Sequence, residues 1–438
     1  MLIRLNILAQ LRAAMRDAWR IAVWKFACVG VLSIVGCRDT VLLSPIVITP
    51  PVDTVSMETG PPLDTVQLAL PSAMRLASGG SQSCLLRLDG TIVCWGDWAG
   101  IGPTPPTKIP TTRDSTGNAV AFAVIGFGAR LCVLSVSGVA YCQTGKRLSS
   151  GPDSASTPRI LVRMTTRHRF REIVSGYGTN CALTPSGQEF CWGDGALGAL
   201  GNSRFGDGYL EPNPIALATA LRFTTLAQGG GQLQCAVATN GGAYCWGAEH
   251  GSVSNIPRQA GDCTTFFWQR FAGVPCVVPT PVSGAPPLRL VSTGPETSCG
   301  LGVDGRASCW GVGDYGTLGN GATAPAVAAV SVTGGLKFVE LTVGGATVCA
   351  LSPDHRGYCW GNNFRGYLGT GDRLSSAVPV AITGGLAFAT ISAGFAHVCG
   401  ITTADDVWCW GSSDYGQLGR DKSLGDASAP IRVVIAVP

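Results

Sequence analysis

The sequence predicts an all-β protein, a seven-bladed β-propeller with four antiparallel strands per blade, and three observations lead to this prediction. The chain of 438 residues contains seven cysteine pairs in which the partners are ten positions apart. The first cysteines of successive pairs lie 48, 49, 54, 64, 50 and 50 residues apart. Short strand patterns and glycine-rich turns surround each pair. A period near 50 over seven units is typical of a repeat architecture, with one four-stranded blade per unit.

The paired cysteines mark the units along the chain. The seven pairs are Cys84 and Cys94, Cys132 and Cys142, Cys181 and Cys191, Cys235 and Cys245, Cys299 and Cys309, Cys349 and Cys359, and Cys399 and Cys409. Two more, Cys263 and Cys276, lie in an insertion at about 248–280, which explains the longest interval. The remaining two cysteines, Cys28 and Cys37, precede the repeats.

Within each unit the residues between the paired cysteines read as two strands joined by a tight turn. The sixth position after the first cysteine is glycine in five units, and His355 or Asp405 in the other two, which also tolerate positive φ. The second position after that cysteine is always aliphatic and shares its face of the strand, which we expect to be buried. An inner strand such as 338–341 precedes each first cysteine, and an outer strand such as 378–382 follows the pair, completing four strands.

The two ends of the repeat region predict how the ring closes. The chain finishes in an outer strand, 429–435, while residues 70–77 supply an inner strand ahead of Cys84. We therefore expect the ring to be closed by the N- and C-terminal strands, which would meet in one blade and protect its edges.

The cysteine spacing also predicts disulfide bonds. Two cysteines that face each other across a hairpin are at a separation that a disulfide can bridge. Closing so short a loop contributes about 2–3 kcal/mol in the chain-entropy model. In an oxidising compartment we expect all sixteen of the cysteines from Cys84 to Cys409 to be bonded. Reduced cysteines that pack as small hydrophobic residues are the alternative.

Residues 1–36 are predicted to be a signal peptide of the lipoprotein type. A basic stretch leads into the apolar run 26–36, which is too short to span a bilayer comfortably. It ends in Ile34-Val35-Gly36-Cys37, which resembles the bacterial lipobox and implies lipidation of Cys37. Residue 38 is arginine and not aspartate, so we expect an outer-membrane lipoprotein of the bacterial cell envelope. An uncleaved signal anchor and a true start at Met15 are alternatives.

The rest of the chain divides into a proline-rich tether, 37–71, and the propeller, 72–438. A short motif occurs twice in the tether, at 50–55 (PPVDTV) and 61–66 (PPLDTV). Proline-rich segments favour extended polyproline-like conformations. The tether would hold the propeller away from its membrane anchor.

The charge distribution excludes one class of partner. The formal net charge of +4 comes entirely from residues 1–36, which carry five basic residues and one acidic residue. The remainder has 26 of each sign and lacks the basic surface that binds a phosphate backbone. We expect no nucleic-acid partner, a membrane contact through the lipid alone, and a monomer.

Residues with catalytic or metal-binding patterns are scarce. The four histidines lie in different units without the spacing of metal ligands. The sequence contains neither a Gly-x-Ser-x-Gly motif nor a P-loop. We therefore predict a non-enzymatic protein without cofactor or metal.

One segment has the composition of a binding loop. The insertion between Cys263 and Cys276 contains Phe266, Phe267, Trp268, Arg270 and Phe271. Because tryptophan and arginine are enriched at binding hot spots, we predict that these residues contact a partner. The alternative is that the aromatic side chains cap the neighbouring blade.

Two further motifs carry a family resemblance. Six of the seven second cysteines are followed by Trp-Gly, and several units continue with Gly-x-Leu-Gly, as at 316–319, 366–369 and 416–419. Spacing, motif and unit number together resemble the regulator of chromosome condensation repeat family, whose members form seven-bladed propellers. Unit two departs from the pattern with Gln143 after its second cysteine, and unit four lacks the Gly-x-Leu-Gly stretch.

The resemblance implies a non-catalytic scaffold that mediates protein–protein or ligand recognition. Two alternatives come from the same family. Its namesake is a guanine nucleotide exchange factor, a role that requires cytosolic residence and reduced cysteines. A secreted β-lactamase inhibitor has a similar propeller, which makes enzyme inhibition the other alternative.

Overall fold

The computed structural model describes residues 66–68, 73–97, 103–128, 130–143, 160–176, 178–206, 208–229, 233–247 and 276–435. All of them lie within the unit 57–438. The predicted signal peptide and Cys37 lie outside the described residues. Over the part of the chain that is described, no helix has both the length and the apolar character needed to cross a membrane.

The described residues form seven β-sheets, the blades, whose strands follow each other in chain order. Blade one contains β1 (Arg75–Gly79), β2 (Gln82–Leu86), β3 (Ile92–Asp97) and β4 (Pro103–Lys108), and blade two contains β5 (Phe122–Phe127), β6 (Leu131–Ser135), β7 (Ala140–Gln143) and β8 (Leu161–Arg163). Blade three contains β9 (Glu172–Ser175), β10 (Thr179–Leu183), β11 (Glu189–Asp194) and β12 (Leu210–Ala216). Blade four contains β13 (Phe223–Leu226), then, after the short β14 (Gln228–Gly229), β15 (Leu233–Ala238), β16 (Ala243–Gly247) and β17 (Cys276–Pro281).

The remaining three blades repeat the pattern with greater regularity. Blade five contains β18 (Leu288–Thr293), β19 (Thr297–Gly302), β20 (Ala307–Gly311) and β21 (Ala326–Ser331), and β14 adds to it in parallel. Blade six contains β22 (Glu340–Val343), β23 (Thr347–Leu351), β24 (Gly357–Gly361) and β25 (Ser376–Ala381), and blade seven contains β26 (Phe388–Ala393), β27 (His397–Thr402), β28 (Val407–Gly411) and β29 (Ala427–Arg432). Two short 3-10 turns occur at Asp314–Gly316 and Lys422–Leu424. The predicted seven-bladed propeller is confirmed.

We call the four strands of a blade A to D in chain order, with A lining the central cavity. The antiparallel pairing brings the A–B turns and the C–D loops to one face of the ring, which we call the loop face. The B–C turns and the connections between blades lie on the opposite face, the hairpin face. Every long connection between strands therefore emerges on one of two opposite faces.

The hairpin between the paired cysteines is built as the sequence predicts. His355 and Asp405 adopt φ of 65° and 63°, close to the φ values of 72–82° at the five equivalent glycines. The aliphatic residue two positions after each first cysteine is at most 1% exposed in all seven blades. The turn geometry therefore depends on positive φ and not on glycine itself.

Disulfide bonds join all seven cysteine pairs that are ten residues apart, from Cys84–Cys94 to Cys399–Cys409. Their Cα atoms are 4.0–4.1 Å apart, because the two cysteines of each pair are direct partners across strands B and C. Cys276 is also disulfide-bonded. Its predicted partner, Cys263, lies outside the described residues.

The ring closes between two blades, so the expectation that both chain ends share one blade is wrong. β1 pairs with β2 in blade one, whereas β29 pairs with β28 in blade seven. The first and last blades meet through side chains and main chain: the Ser78 N–H donates to Ser392 Oγ at 2.8 Å, and the Phe395 N–H donates to the Gly80 carbonyl at 3.0 Å. Each unit already holds four strands, so neither end is left without partners.

The end of the predicted tether contacts the propeller. The Leu68 N–H donates to the carbonyl of Val136 at 2.6 Å, and the Leu68 side chain packs with Val124, Met164 and the core of blades two and three. Val136 belongs to the B–C turn of blade two, so the chain reaches the ring on the hairpin face. Residues 66–68 are thus part of the propeller and not of a free tether.

Candidate functional site

The C–D loops are held in place by the Trp-Gly and Gly-x-Leu-Gly motifs. Each tryptophan lies at a β-bulge between strands C and D, as at Cys359/Gly361, and a bulge re-aims the side chain. The following glycine has φ near 100°, and a Cβ on Gly361 would lie 2.5 Å from the carbonyl oxygen of Ala346. Glycine is required there because of both the φ value and the close approach.

The indole of one blade binds the C–D loop of the preceding blade. In four junctions its Nε1–H donates to the carbonyl of the variable residue in Gly-x-Leu-Gly, at 2.9–3.1 Å. The pairs are Trp246 to Ala199, Trp360 to Thr317, Trp410 to Tyr367, and Trp95 to Gln417. The two motifs therefore form one hydrogen-bonded contact between neighbouring blades, which we call the indole clasp.

Two tryptophans lack this contact. Among the described residues, the buried Nε1 atoms of Trp192 and Trp310 have no hydrogen-bond partner. The units that precede them, two and four, lack the Gly-x-Leu-Gly stretch. Where a unit lacks the Gly-x-Leu-Gly stretch, the tryptophan of the following blade therefore has no described acceptor for its Nε1–H.

The loop face carries the exposed aromatic side chains. Among the described residues, five aromatic side chains are more than one third exposed: Phe205 (52%), Tyr315 (45%), Phe364 (57%), Phe395 (63%) and Tyr415 (48%). Phe395 lies in the A–B turn of blade seven, and the other four lie in C–D loops. None lies on the hairpin face. Because exposed aromatic groups on a rigid scaffold are typical of interfaces, this face is the candidate site.

The site is most continuous over blades five to seven. The rings of Tyr315 and Phe364, from blades five and six, meet edge to face with centroids 5.1 Å apart. Next to Phe364, Arg365 reaches blade seven, where its guanidinium donates to Asp414 Oδ1 at 2.6 Å and to Asp426 Oδ1 and Oδ2 at 3.0 and 2.8 Å. These hydrogen bonds, Asp414 first, raise the pKa of Arg365, and the arginine lowers the pKa of Asp414. The three loops are therefore tied into one surface.

Other chemically suggestive groups in the described structure do not form an accessible site. His397 Nε2 lies 2.8 Å from Ser83 Oγ, but both residues are at most 1% exposed, and burial lowers the pKa of His397 to about 4. His397 Nδ1 has no partner among the described residues that could orient the ring. A serine nucleophile needs both access and an oriented base. This pair therefore contributes to closure of the ring.

A possible metal-ligand group also occurs in blade three. Cys181, Glu189 and Cys191 bring their ligand atoms within 4.8 Å of one another. The two sulfur atoms are joined in a disulfide, which removes the thiolates that bind metals. Burial, and then the charge of Glu172, raises the pKa of Glu189 well above its usual range. The group therefore offers no thiolate to a metal ion, and burial disfavours the charged form of Glu189.

The central cavity is lined by the A strands of five blades. Its polar lining consists of hydroxyl groups, those of Ser78, Ser175, Thr342 and Ser392. Two of these already accept main-chain N–H groups of the next blade, at 2.8 and 3.1 Å. None of the described residues that line the cavity is charged, so they offer no general acid or base.

The structure tests the sequence-based site predictions unevenly. The predicted binding residues Phe266, Phe267, Trp268, Arg270 and Phe271 and the lipidation site Cys37 lie outside the described residues. The strand residues that flank the insertion, Gly247 and Cys276, pair directly with each other at the loop face. The aromatic residues of blades five to seven were missed. Their signal was an aromatic residue recurring between Trp-Gly and Gly-x-Leu-Gly, where a solvent loop is ordinarily polar.

Comparison with known proteins gives relatives of the repeat and of the fold. The chain is 26% identical to human E3 ubiquitin-protein ligase HERC2 over 289 residues, which are 62% of this chain and 6% of that protein. It is 25% identical to the ultraviolet-B receptor UVR8 of Arabidopsis thaliana over 203 residues, 45% of this chain and 43% of the receptor. The matched regions thus span less than half of either relative.

A solved structure and the repeat models complete the comparison. The crystal structure of Prp20p from Saccharomyces cerevisiae matches with a TM-score of 0.60 and 18% identity, over 73% of this chain and 80% of that chain, and shows the same fold. Residues 354–401 and 388–417 match two family models, both described as regulator of chromosome condensation (RCC1) repeat. The matched residues, 354–417, lie in blades six and seven.

Proposed function

We propose that this protein is a non-catalytic binding propeller that recognises a protein partner through the loop face of blades five to seven. The observation that carries the proposal is that all five exposed aromatic side chains of the described residues lie on the loop face, four of them in blades five to seven. Tyrosine and arginine are frequent binding hot spots, and rigid scaffolds commonly present them on loops. Prp20p, which has a similar fold, is known for binding properties to Gsp1p and histones.

We further propose that the protein is exported and anchored at the bacterial outer membrane through acylated Cys37. The apolar run and the lipobox-like tetrapeptide support this proposal, and the seven disulfides suit an oxidising compartment. Leu68 contacts the B–C turn of blade two on the hairpin face, opposite the exposed aromatic side chains.

The binding proposal is tested by crosslinking in the native envelope followed by capture of the tagged full-length protein. A Phe364→Ala/Tyr415→Ala variant should lose at least about tenfold of the captured partner, as expected for hot-spot residues. A matched Leu88→Ala/Val303→Ala variant removes exposed apolar residues from the hairpin face and should capture normally. Equal capture by both variants would contradict the proposal.

Two further variants test the anchor and the insertion. Cys37→Ser should abolish labelling with a fatty-acid analogue and release the protein from membranes, whereas an uncleaved signal anchor would retain it.

Phe267→Ala/Trp268→Ala should weaken capture without changing the melting temperature if the insertion contributes to binding. A melting temperature lowered by several degrees with normal capture would instead place these aromatic groups in a core.

A further inference from the structure

The aromatic pair of blades five and six leaves ring surface open to solvent. Tyr315 and Phe364 are 45% and 57% exposed, and their rings meet at an interplanar angle of 80°. In an edge-to-face pair, at least one face of each ring is not covered by the other. An open aromatic face carries negative electrostatic potential and attracts a cation placed over it.

Two carboxyl groups lie in the same part of the loop face. Asp314 directly precedes Tyr315, and Glu296 lies in the A–B turn of blade five, where its carbonyl accepts the Val312 N–H at 2.8 Å. Burial, and then the charge of Asp314, raises the pKa of Glu296, so the two carboxyl groups interact. Over the described residues neither of them forms an ion pair. Within the described residues, the charge of Asp314 is therefore not paired with a basic side chain.

The repeat itself shows what such a carboxyl pair can hold. Asp414 occupies in blade seven the position of Asp314 in blade five, four residues after the tryptophan of Trp-Gly. Asp414 and Asp426 together bind the guanidinium of Arg365 with hydrogen bonds of 2.6–3.0 Å. Arg365 comes from the C–D loop of the preceding blade. In blade five Asp314 keeps this position, Pro325 stands where blade seven has Asp426, and Glu296 of the A–B turn supplies the second carboxyl group.

We propose that Asp314, Glu296, Tyr315 and Phe364 form a subsite for a basic side chain, arginine or lysine, of the protein partner. This inference rests on the proposed binding function and specifies the chemistry of the partner. The carboxylates supply charge pairing, and the aromatic rings supply a cation–π surface. An acidic or purely apolar partner segment lacks the group that this subsite recognises.

The test measures binding of the full-length protein to three immobilised nonapeptides by biolayer interferometry at 50 mM salt. The Gly-Ser peptides carry two central arginines, two central glutamates or two central serines. The arginine peptide should bind at least tenfold more tightly than the other two, and raising the salt to 300 mM should weaken it severalfold. Asp314→Asn/Glu296→Gln should abolish that preference, and Val303→Ser on the hairpin face should leave it unchanged.

Three outcomes would overturn the inference. One is equal binding of all three peptides or of none, and another is an arginine preference that survives in Asp314→Asn/Glu296→Gln. The third is tighter arginine-peptide binding by an Arg258→Ser/Arg270→Ser variant, which would show that the chain's own insertion fills the subsite. Capture from the native envelope separates the two proposals. If Phe364→Ala/Tyr415→Ala loses the partner and Asp314→Asn/Glu296→Gln retains it, the subsite for a basic side chain is disproved and the proposed binding face is not.

Discussion

Three junctions, between blades five and six, six and seven, and seven and one, differ from two others, between blades two and three and between blades four and five. The first group has the indole clasp, and a second polar contact accompanies it. In each of these junctions an A-strand hydroxyl accepts a main-chain N–H of the next blade: Ser292 from Val343, Thr342 from Ala393, and Ser392 from Ser78, at 2.8–3.1 Å. Blades one to three have Ala77, Gly126 and Val174 at the hydroxyl position, opposite the first cysteine.

Apolar burial and hydrogen bonds both hold neighbouring blades together, and the two kinds of junction differ in the hydrogen bonds. Apolar burial occurs at both kinds of junction, since Trp192 and Trp310 are at most 3% exposed and the clasped tryptophans are fully buried. Directional hydrogen bonds are concentrated where the exposed aromatic loops lie. The junction before blade five uses main chain instead, through the parallel pairing of Gln228 and Gly229 with Ser292 and Thr293. The regular half of the ring is therefore the better scaffold for a binding surface.

The largest expected effect concerns the glycine that packs under a clasped indole. Gly369 has φ of 68°, and an added Cβ would lie 2.8 Å from Trp410 Nε1. Gly369→Ala should lower the free energy of unfolding by about 3 kcal/mol, through backbone strain and overpacking together. Gly371→Ala is the control, because Gly371 also has positive φ but its added Cβ would meet only Thr383 Cγ2, at an ordinary contact distance of 3.9 Å, and it should cost about 1 kcal/mol. Equal losses in chemical denaturation would disprove crowding at the clasp.

The closing junction should differ from the others in its response to pH. Burial lowers the pKa of His397 to about 4, below the ordinary value of 6.5, so the unfolded chain takes up a proton first as the pH falls. The titration of His397 should therefore lower the free energy of unfolding by about 3 kcal/mol between pH 6.5 and pH 4. His397→Gln should remove most of this decrease, whereas His355→Asn at an exposed turn should retain it. Urea titrations over this range provide the measurement, and identical pH profiles for wild type and His397→Gln would contradict the assignment.

Replacing tryptophan by phenylalanine compares the two kinds of junction directly. Trp410→Phe removes the donor to the Tyr367 carbonyl, whereas Trp310 has no partner for its Nε1–H among the described residues. Beyond the shared loss of volume, the hydrogen bond should make Trp410→Phe more destabilising than Trp310→Phe by about 1–2 kcal/mol. Thermal unfolding of the two variants checks the difference. A larger loss for Trp310→Phe would show that the clasp does not stabilise the ring.

The smallest effect is expected at the surface ion pairs. The Arg365 side chain is 37% exposed, and exposed ion pairs contribute little because water and salt screen them. Arg365→Met should change the free energy of unfolding by less than about 1 kcal/mol. A substantially larger loss would mean that the loop surface of blades six and seven is part of the folding core.

The sequence predicted the blades because their information is local. The ten-residue spacing places Cys349 opposite Cys359 in one hairpin, and period-two alternation assigns Leu351 to the buried face. The substitutions of His355 and Asp405 for glycine were interpretable because φ tolerance is a property of single residues. Strand pairing within a blade therefore followed from spacing and composition alone.

The tertiary structure decided how the blades meet. Trp360 and Thr317 are 43 positions apart, and Trp95 and Gln417 are 322 apart, and no local pattern relates such pairs. The same holds for closure between blades one and seven, for the contact of Leu68 with Val136, and for the meeting of Tyr315 with Phe364. These contacts depend on the twist and packing of whole sheets, which place residues of different units side by side without any periodic signal in the chain.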